Sequence, residues 1–198
     1  MSDRKLAERA NGRIEVVAGG MFSGKSEELV RRLRRALIAR QKIQVFKPLT
    51  DSRHPPELLI TRDNRELAAR TVRTTAELAA QVDEDADVVG IDEAQFFDVD
   101  LVDLVTRLAD RGQRVIVAGL DQDYLRRPFG PMPAILALAE VVDKMHAVCV
   151  GCGQPAHYSQ RIAGGDSQVE VGDVEAYEAR CRECYVPYSS VGRAAARD

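Results

Sequence analysis

Residues 13–38, RIEVVAGGMFSGKSEELVRRLRRALI, place an apolar run, a glycine-rich turn and a helical pattern directly after one another. The apolar run is continuous enough to predict a strand that is covered on both faces. After the turn, apolar residues recur at the spacing of a helix that packs against a core. A strand, a glycine loop and a helix in this order predict the first unit of an α/β fold.

The turn fits the pattern G-x-x-x-x-G-K-[ST], in which glycines let successive backbone N–H groups point at phosphate oxygens. The helix that follows adds its positive amino-terminal end. We expect Lys25 to reach the outer phosphates of ATP and the Ser26 hydroxyl to ligate Mg²⁺. The alternative is a tight turn without a ligand. The predicted phosphate-binding residues of the turn are Gly19, Gly20, Met21, Phe22, Ser23, Gly24, Lys25 and Ser26.

Further short apolar runs alternate with helical patterns up to about residue 146. This alternation predicts a largely parallel sheet flanked by helices, an α/β fold of the P-loop NTPase type with a small zinc-binding subdomain at its carboxyl end. Predicted strands cover residues 13–18, 43–47, 88–91 and 115–119, with a further strand near Val141–Met145.

Two amphipathic helices are expected in this region. The first covers residues 26–41, and the second covers Val99–Arg111 and stops at Gly112. Arginines of the first helix lie off its apolar stripe, so we interpret them as a solvated face, with contact to nucleic acid as the alternative. Those arginines are Arg31, Arg32, Arg34 and Arg35. The expected core residues are Leu29, Val30, Leu33, Leu37, Ile38, Leu101, Leu104, Val105 and Leu108.

Pattern and composition divide the chain into four parts. We expect a flexible amino terminus over 1–12, a nucleotide-binding domain over 13–146, a metal-stapled unit over 147–190 and a disordered tail over 191–198. Residues 49–70 are rich in charge and turn formers and predict a long, partly mobile excursion of the kind that often carries function.

The overall charge and the length of the apolar segments exclude several classes of function. The chain has 198 residues, with 45% hydrophobic and 30% charged, and a formal net charge of -3. The acidic balance argues against a general nucleic-acid binder and favours a small partner. No stretch has the pattern of a signal peptide or a membrane span, so we expect a cytoplasmic protein without a membrane partner.

Four cysteines occur as two pairs, Cys149 with Cys152 and Cys181 with Cys184. In a reducing compartment such pairs favour metal binding over disulfides, and four thiolates complete a tetrahedral structural Zn²⁺ site. Of the three histidines that might be proposed as additional ligands, His54, His146 and His157, the last two are therefore interpreted as ordinary surface or boundary residues.

The stretch VVGIDEAQFF, residues 88–97, places two carboxylates directly after a buried strand. In P-loop proteins an acid at a second strand end holds magnesium, which suits Asp92. Glu93 projects in another direction and is a candidate general base. The alternative makes Glu93 a surface carboxylate or a helix-start charge.

The chain resembles the small, zinc-containing type of thymidine kinase. The resemblance is carried by GGMFSGKS, IDEAQFF, GLDQDYLRRPFG and the two cysteine pairs, in this order, over residues 14 to about 185. It implies transfer of the ATP γ-phosphoryl group to the 5′-hydroxyl of thymidine, and of deoxyuridine as well, with Glu93 as the general base. It also implies a homotetramer, feedback inhibition by dTTP and no nucleic-acid partner.

The same resemblance assigns further residues to the two substrates. Asp51, Arg53 and Gln95 are expected on the ATP side, together with Asp92. In this family the loop between the cysteine pairs lies over the nucleoside, and its backbone meets the polar edge of thymine, where cytosine mismatches. The expected nucleoside-binding residues are Phe96, Tyr124, Val169, Glu170, Val171, Gly172, Asp173 and Tyr177. Phe97 is expected in the core.

Three positions depart from the family pattern. Gly20 stands where proline is common, Glu27 where threonine is common, and Tyr124 where phenylalanine is common. Two other functions stay open at this point. One is a P-loop ATPase whose zinc ribbon acts on nucleic acid, and the other is a regulatory nucleotide-binding protein without transfer chemistry.

Overall fold

The computed structural model describes residues 12–49, 58–60, 66–163 and 176–187. Six of its strands form one sheet, and each neighbouring pair in that sheet is parallel. The described strands are β1 (Arg13–Gly19), β2 (Ile43–Pro48), β3 (Leu58–Ile60), β4 (Glu66–Ala68), β5 (Arg70–Val72), β6 (Val88–Ile91), β7 (Arg114–Gly119), β8 (Val141–Met145), β9 (Ala147–Val148), β10 (Pro155–Ala156), β11 (Tyr158–Arg161) and β12 (Tyr177–Arg180).

The six-stranded sheet has the order β5-β2-β6-β7-β1-β8. The predicted strands all lie in it, so the expected largely parallel α/β fold is confirmed. Helices cover both faces, as the continuous apolar strands require. The described helices are α1 (Lys25–Ile38), α2 (Thr75–Gln81), α3 (Asp100–Asp110) and α4 (Met132–Leu138).

Two apolar cores flank the sheet. On one face, α1 contributes Leu29 and Leu33, which pack with Val17 and Ile116 of the sheet. On the other face, α3 and α4 pack against a second set of strand residues. The predicted stripe of α3 is confirmed, because all four of its members are buried: Leu101, Leu104, Val105 and Leu108.

Helix α1 departs from its predicted stripe at its carboxyl end. Leu37 and Ile38 are 45% and 83% exposed, so their assignment to the core is wrong. Ala36 is the last residue of α1 that joins the buried cluster, and the helix ends two residues later.

The arginine run of α1 was also predicted as a solvated face, and this is wrong for Arg32, which is 7% exposed. Its Nη1 donates to Glu15 Oε2 at 2.9 Å, its Nε donates to Glu28 Oε1 at 2.8 Å, and it also pairs with Asp143. The reason is a buried acid inside β1, because Glu15 is only 4% exposed and requires cationic partners.

Arg13 and Arg114 are the other partners of Glu15. Each places its Nε 2.7 Å from Oε1, and Arg114 also donates through Nη2 to Oε2 at 2.8 Å. Burial alone would raise the pKa of Glu15, but hydrogen bonds from Arg114 and Arg13 outweigh it and lower that pKa to about 2. Glu15 is therefore a fixed anion.

Several short elements were not predicted. Helix α2 is capped by the preceding residue, Thr74, whose hydroxyl accepts the backbone N–H of Glu77 at 3.1 Å. In the excursion over 49–70, the described residues form an antiparallel pair of β3 and β4, followed by β5 on the sheet edge. The terminal segments expected to be flexible fall almost wholly outside the described residues.

The C-terminal unit comprises residues 147–163 and 176–187. Its four short strands form two antiparallel pairs, β9 with β10 and β11 with β12. Its small core is built from Ala147, Cys149, Ala156, Ala179 and Cys181. Within the part of the chain that the structure describes, no helix has the length and apolar character needed to cross a membrane.

Candidate active site

The glycine loop and the acidic pair meet at one edge of the sheet. The loop follows β1 and Asp92 follows β6, with only β7 between these two strands. Because the strands are parallel, their carboxyl ends face the same side, where open α/β sheets bind ligands. The fold thus brings together the two motifs that the sequence assigned to phosphate and magnesium.

The glycine loop is closed by internal hydrogen bonds. The Lys25 Nζ and the Ser23 Oγ each donate to the carbonyl oxygen of Gly20 at 2.8 Å. Gly19 has φ 147°, and a Cβ on it would lie 2.4 Å from the carbonyl oxygen of Met145. The loop requires glycine at that position, and the ammonium group of Lys25 lies over the loop where phosphate oxygens are expected.

Ser26 and Asp92 lie side by side across this edge. The Ser26 Oγ donates to Asp92 Oδ2 at 3.0 Å, and the backbone N–H of Glu93 donates to Oδ1 at 2.9 Å. Asp92 is 4% exposed. Burial and the charge of Glu93 raise its pKa to about 7, against the opposing effects of the Glu93 N–H, Ser26 and Lys25.

A hydroxyl and a carboxylate oxygen are ligands that Mg²⁺ prefers. A buried carboxylate whose pKa is raised by desolvation also gains from a nearby cation, which favours its ionised form. The pair of Ser26 and Asp92 therefore fits the magnesium ion that the sequence predicted.

Glu93 has an unusual backbone. It lies in the left-handed region at φ 49° and ψ 41° and precedes a 3-10 turn, Ala94–Phe96. A non-glycine residue in this region costs on the order of 1–3 kcal/mol, and such strain concentrates at functional sites.

Gln95 holds Glu93 in place. Its Nε2 donates to Glu93 Oε2 at 2.5 Å, and its Oε1 accepts the backbone N–H of Leu120 at 2.9 Å. Gln95 is 2% exposed. Sequence analysis assigned this residue to the ATP side, whereas in the structure its amide connects Glu93 to the end of β7.

The aromatic residues predicted for the nucleoside come from three segments: Phe96 from the turn after β6, Tyr124 from the segment after β7, and Tyr177 from β12. The rings of Phe96 and Phe129 meet edge to face, with centroids 5.8 Å apart. Tyr124 is 6% exposed, whereas Phe97 is buried in the core as predicted. The predicted residues Asp51, Arg53, Val169, Glu170, Val171, Gly172 and Asp173 lie outside the described residues.

Arg161 joins two of the predicted tyrosines, and sequence analysis missed it. Its guanidinium carbon lies 3.7 Å from the centre of the Tyr124 ring, and its Nη2 and Nε donate to the Tyr177 hydroxyl at 2.6 and 3.1 Å. The side chain is fully buried. The only available signal was an arginine between two polar-looking segments, which does not distinguish a buried cation from a surface one.

The four cysteines form a compact cluster. Their sulfur atoms all lie within 4.8 Å of one another, and Sγ of Cys152 lies 3.6 Å from Sγ of Cys181. Tetrahedral zinc with Zn–S bonds of about 2.3 Å separates its sulfur ligands by about 3.8 Å. The cluster therefore fits the predicted zinc site.

The four thiols shift one another's pKa values in opposite directions. Backbone N–H groups, first that of Cys181, lower the pKa of Cys149 to about 6. Contacts with the other three thiols raise the pKa of Cys184 to about 12. Four adjacent thiolates need a cation to neutralise their repulsion. The histidines His146 and His157 instead pack against each other, with ring centroids 4.5 Å apart.

Comparison with known proteins gives a consistent result. A family model described as thymidine kinase matches residues 12–185. Among the relatives, thymidine kinase from Rhodothermus sp. is 52% identical over 176 residues, covering 89% of this chain and 82% of that protein. Thymidine kinase from Bacteroides thetaiotaomicron is 49% identical over 178 residues, covering 90% and 89%. Thymidine kinase from Porphyromonas gingivalis is 52% identical over 182 residues, covering 90% and 87%.

Proposed function

The chain belongs to the thymidine kinase family, whose members are phosphotransferases, and we propose that Glu93 is the general base of its reaction. The observation that supports this most directly is the arrangement of Glu93 beside the Ser26 and Asp92 pair, with Gln95 holding its carboxylate. Glu93 is half-buried, so a substrate hydroxyl can approach it. The substrates are ATP and thymidine, with deoxyuridine as a second acceptor.

In the proposed reaction, the Glu93 carboxylate accepts the proton of the 5′-hydroxyl of the nucleoside. The 5′-oxygen forms a bond to the γ-phosphorus of ATP while the bond from that phosphorus to the β–γ bridging oxygen breaks. The products are the nucleoside monophosphate and ADP. The hydrogen bond from Gln95 keeps the carboxylate aimed at the acceptor.

The groups around Glu93 stabilise the charge of the transferred phosphoryl group. Lys25 exchanges its contact with the Gly20 carbonyl for the outer phosphates, and the loop amides bind the remaining oxygens. Ser26 and Asp92 would hold Mg²⁺, which would supply charge neutralisation for the phosphates. Phosphoryl transfer depends mainly on such positioning and electrostatics.

The thymine ring of the nucleoside is proposed to bind near Tyr124, Tyr177 and Phe96. Their rings supply flat apolar surface, and Arg161 fixes the relative position of the two tyrosines. Selection of thymine is assigned to backbone groups of residues 169–173, which lie outside the described residues. Buried mismatched polar groups cost about 1–3 kcal/mol each, which supports rejection of cytosine.

Structural zinc is proposed to hold the two ends of this substrate loop through the four cysteines. The residues present fit that role, because β11 and β12, which flank the loop in the chain, pair with each other, and one cysteine pair precedes β11 while the other follows β12. Loss of zinc is expected to release the loop and abolish thymidine binding.

A product assay tests the proposed function. Purified chain, with zinc measured at one ion per chain, is incubated with Mg²⁺-ATP and each of thymidine, deoxyuridine, deoxycytidine and deoxyadenosine. We expect monophosphates from thymidine and deoxyuridine alone. ATP hydrolysis stimulated by DNA without nucleoside monophosphate would support the nucleic-acid ATPase instead. Nucleotide binding without any product would support a regulatory role.

A homotetramer, inhibition by dTTP and a cytoplasmic location remain predictions. For dTTP we propose that the nucleoside part occupies the thymidine site while its phosphates extend toward the glycine loop. Inhibition should then be competitive with both thymidine and ATP. Independent binding of dTTP would contradict this arrangement. Sedimentation analysis of the zinc-loaded protein tests the oligomeric state.

A further inference from the structure

Strand β11 of the C-terminal unit contacts the glycine loop directly. The Ser159 Oγ accepts a hydrogen bond from the backbone N–H of Met21 at 2.8 Å, between residues 138 positions apart in the chain. Ser159 is 6% exposed, so the bond is shielded from water. A loop that is expected to bind the ATP phosphates is thus held by a side chain of the other unit.

Two neighbouring loop residues reinforce this contact. A Cβ placed on Gly20 would lie 3.2 Å from the carbonyl oxygen of His157 and 3.4 Å from Ser159 Oγ, so the loop backbone rests against β11. The Phe22 side chain packs against the core of the C-terminal unit. Its backbone has φ 67°, a conformation that persists only where the surroundings enforce it.

The bond also decides which loop amides face the ligand. In phosphate-binding loops, successive backbone N–H groups converge on the anion. The Met21 N–H is instead directed at Ser159, which orients the peptide groups on either side of it. Removing the acceptor would leave the loop more conformations in the free protein, and ATP would have to order it on binding.

We propose that Ser159 is a positioning residue for ATP: its hydroxyl anchors the glycine loop so that the loop is preorganised for the phosphates. This inference deepens the proposed function, since it rests on the loop being the ATP site. It assigns the C-terminal unit a task on the ATP side in addition to its expected task on the nucleoside side.

The test compares Ser159→Ala with wild type as full-length, zinc-loaded protein. Calorimetric titration with Mg²⁺ and a non-hydrolysable ATP analogue measures nucleotide affinity, and a separate titration measures thymidine affinity. For Ser159→Ala we expect the Kd of the analogue to rise about three- to tenfold, as for the loss of one hydrogen bond. The Kd of thymidine should change less than about twofold.

Two further variants separate positioning from general damage. Ser159→Thr retains a hydroxyl and should restore the analogue Kd to within about twofold of wild type. Gln160→Ala is the matched control, because the Gln160 Oε1 accepts the backbone N–H of Val186 at 2.8 Å inside the C-terminal unit. It should lower thermal stability and leave the analogue Kd unchanged.

The proposal is overturned if Ser159→Ala binds the analogue like wild type, or if it loses thymidine affinity to the same extent. It is equally overturned if Gln160→Ala reproduces the loss of nucleotide affinity, because the effect is then general damage to the unit. Failure of the proposed function looks different: wild type would bind the analogue and form no monophosphate from any nucleoside.

Discussion

The two ends of strand β1 both carry buried charge, but their charges have different partners. Near the amino-terminal end, Glu15 is hydrogen-bonded by three guanidinium groups. At the carboxyl edge of the sheet, Lys25 is bonded to a loop carbonyl, and Asp92, which follows β6, to a hydroxyl and a backbone amide. At the first end opposite charges pair directly, whereas at the second a loop carbonyl, a hydroxyl and a backbone amide also bond the charged groups and are partners that a ligand can replace.

The difference in partners separates a structural ion network at one edge of the sheet from a candidate functional site at the other. Strong pairing keeps the pKa of Glu15 at about 2, so the carboxylate is fixed at physiological pH. Burial raises the pKa of Asp92 to about 7, which leaves it poised to gain from a cation. A carboxyl group at a sheet edge whose pKa is strongly raised is a candidate for function. A carboxylate that is already paired with several guanidinium groups is better explained by a structural role. Four variants test whether the two ends behave so differently.

Arg32→Met should have the largest effect at a single, neutral pH, and that effect should be on stability. It removes a buried cation between Glu15, Glu28 and Asp143. We expect a loss of about 3 kcal/mol in the free energy of unfolding, since Arg13 and Arg114 still neutralise Glu15. Urea denaturation measures it. Activity per folded molecule should stay within about twofold, and the exposed control Arg35→Met should cost less than about 0.5 kcal/mol.

Lys25→Met removes a buried cation at the opposite edge of the sheet, at the first residue of α1. Here the effect should be on catalysis, with kcat lowered by about 10²-fold, equivalent to about 2.7 kcal/mol. Stability should change by less than about 1 kcal/mol. Steady-state kinetics at saturating substrates measure kcat. A fall of less than tenfold, or a loss of stability like that of Arg32→Met, would remove the distinction between the two ends.

Asp92→Asn tests the raised pKa through stability. Because the folded-state pKa of about 7 exceeds the ordinary value of 3.8, wild type binds an extra proton when folded between these pH values. The free energy of unfolding of wild type, taken relative to that of Asp92→Asn, should therefore fall by up to about 1.4 kcal/mol per pH unit from about pH 4 to 7. Above about pH 7 this difference should stay constant. Denaturation without added Mg²⁺ measures this, and parallel profiles for both proteins would refute it.

Glu93→Gly tests the strain at the carboxyl end and should have the smallest effect. Glycine adopts φ 49° without a steric cost, so this variant should be about 1 kcal/mol more stable than Glu93→Ala, which keeps the strained backbone. Comparing the two variants cancels the loss of the carboxylate. Equal stability, measured by thermal denaturation, would show that this backbone is unstrained.

The strongly patterned parts of the fold were predictable from sequence. The glycine loop, the buried strands and the apolar stripe of α3 all follow from local residue order, and the structure agrees with them. The placement of Asp92 and Glu93 directly after a buried strand was predictable for the same reason. Shorter elements such as α2 and β5 were missed because seven or three residues carry too little periodic signal.

What the sequence could not reveal depends on contacts between distant segments. Arg32 was misread because its partner Glu15 lies in a strand that otherwise appears apolar. The hydrogen bond between Ser159 and Met21, and the stacking of Arg161 on Tyr124, join segments that share no local pattern. The left-handed backbone of Glu93 and its bond to Gln95 likewise depend on how β6 ends against β7.

The most direct test of the account is single-turnover phosphoryl transfer by Glu93→Gln, with zinc, Mg²⁺-ATP and thymidine present. Both substrates are first shown by titration to bind the variant. We predict that both Kd values stay within about threefold of wild type while the transfer rate falls by about 10²- to 10⁴-fold, the contribution of a general base. A rate within tenfold of wild type would show that Glu93 is not the base of this reaction.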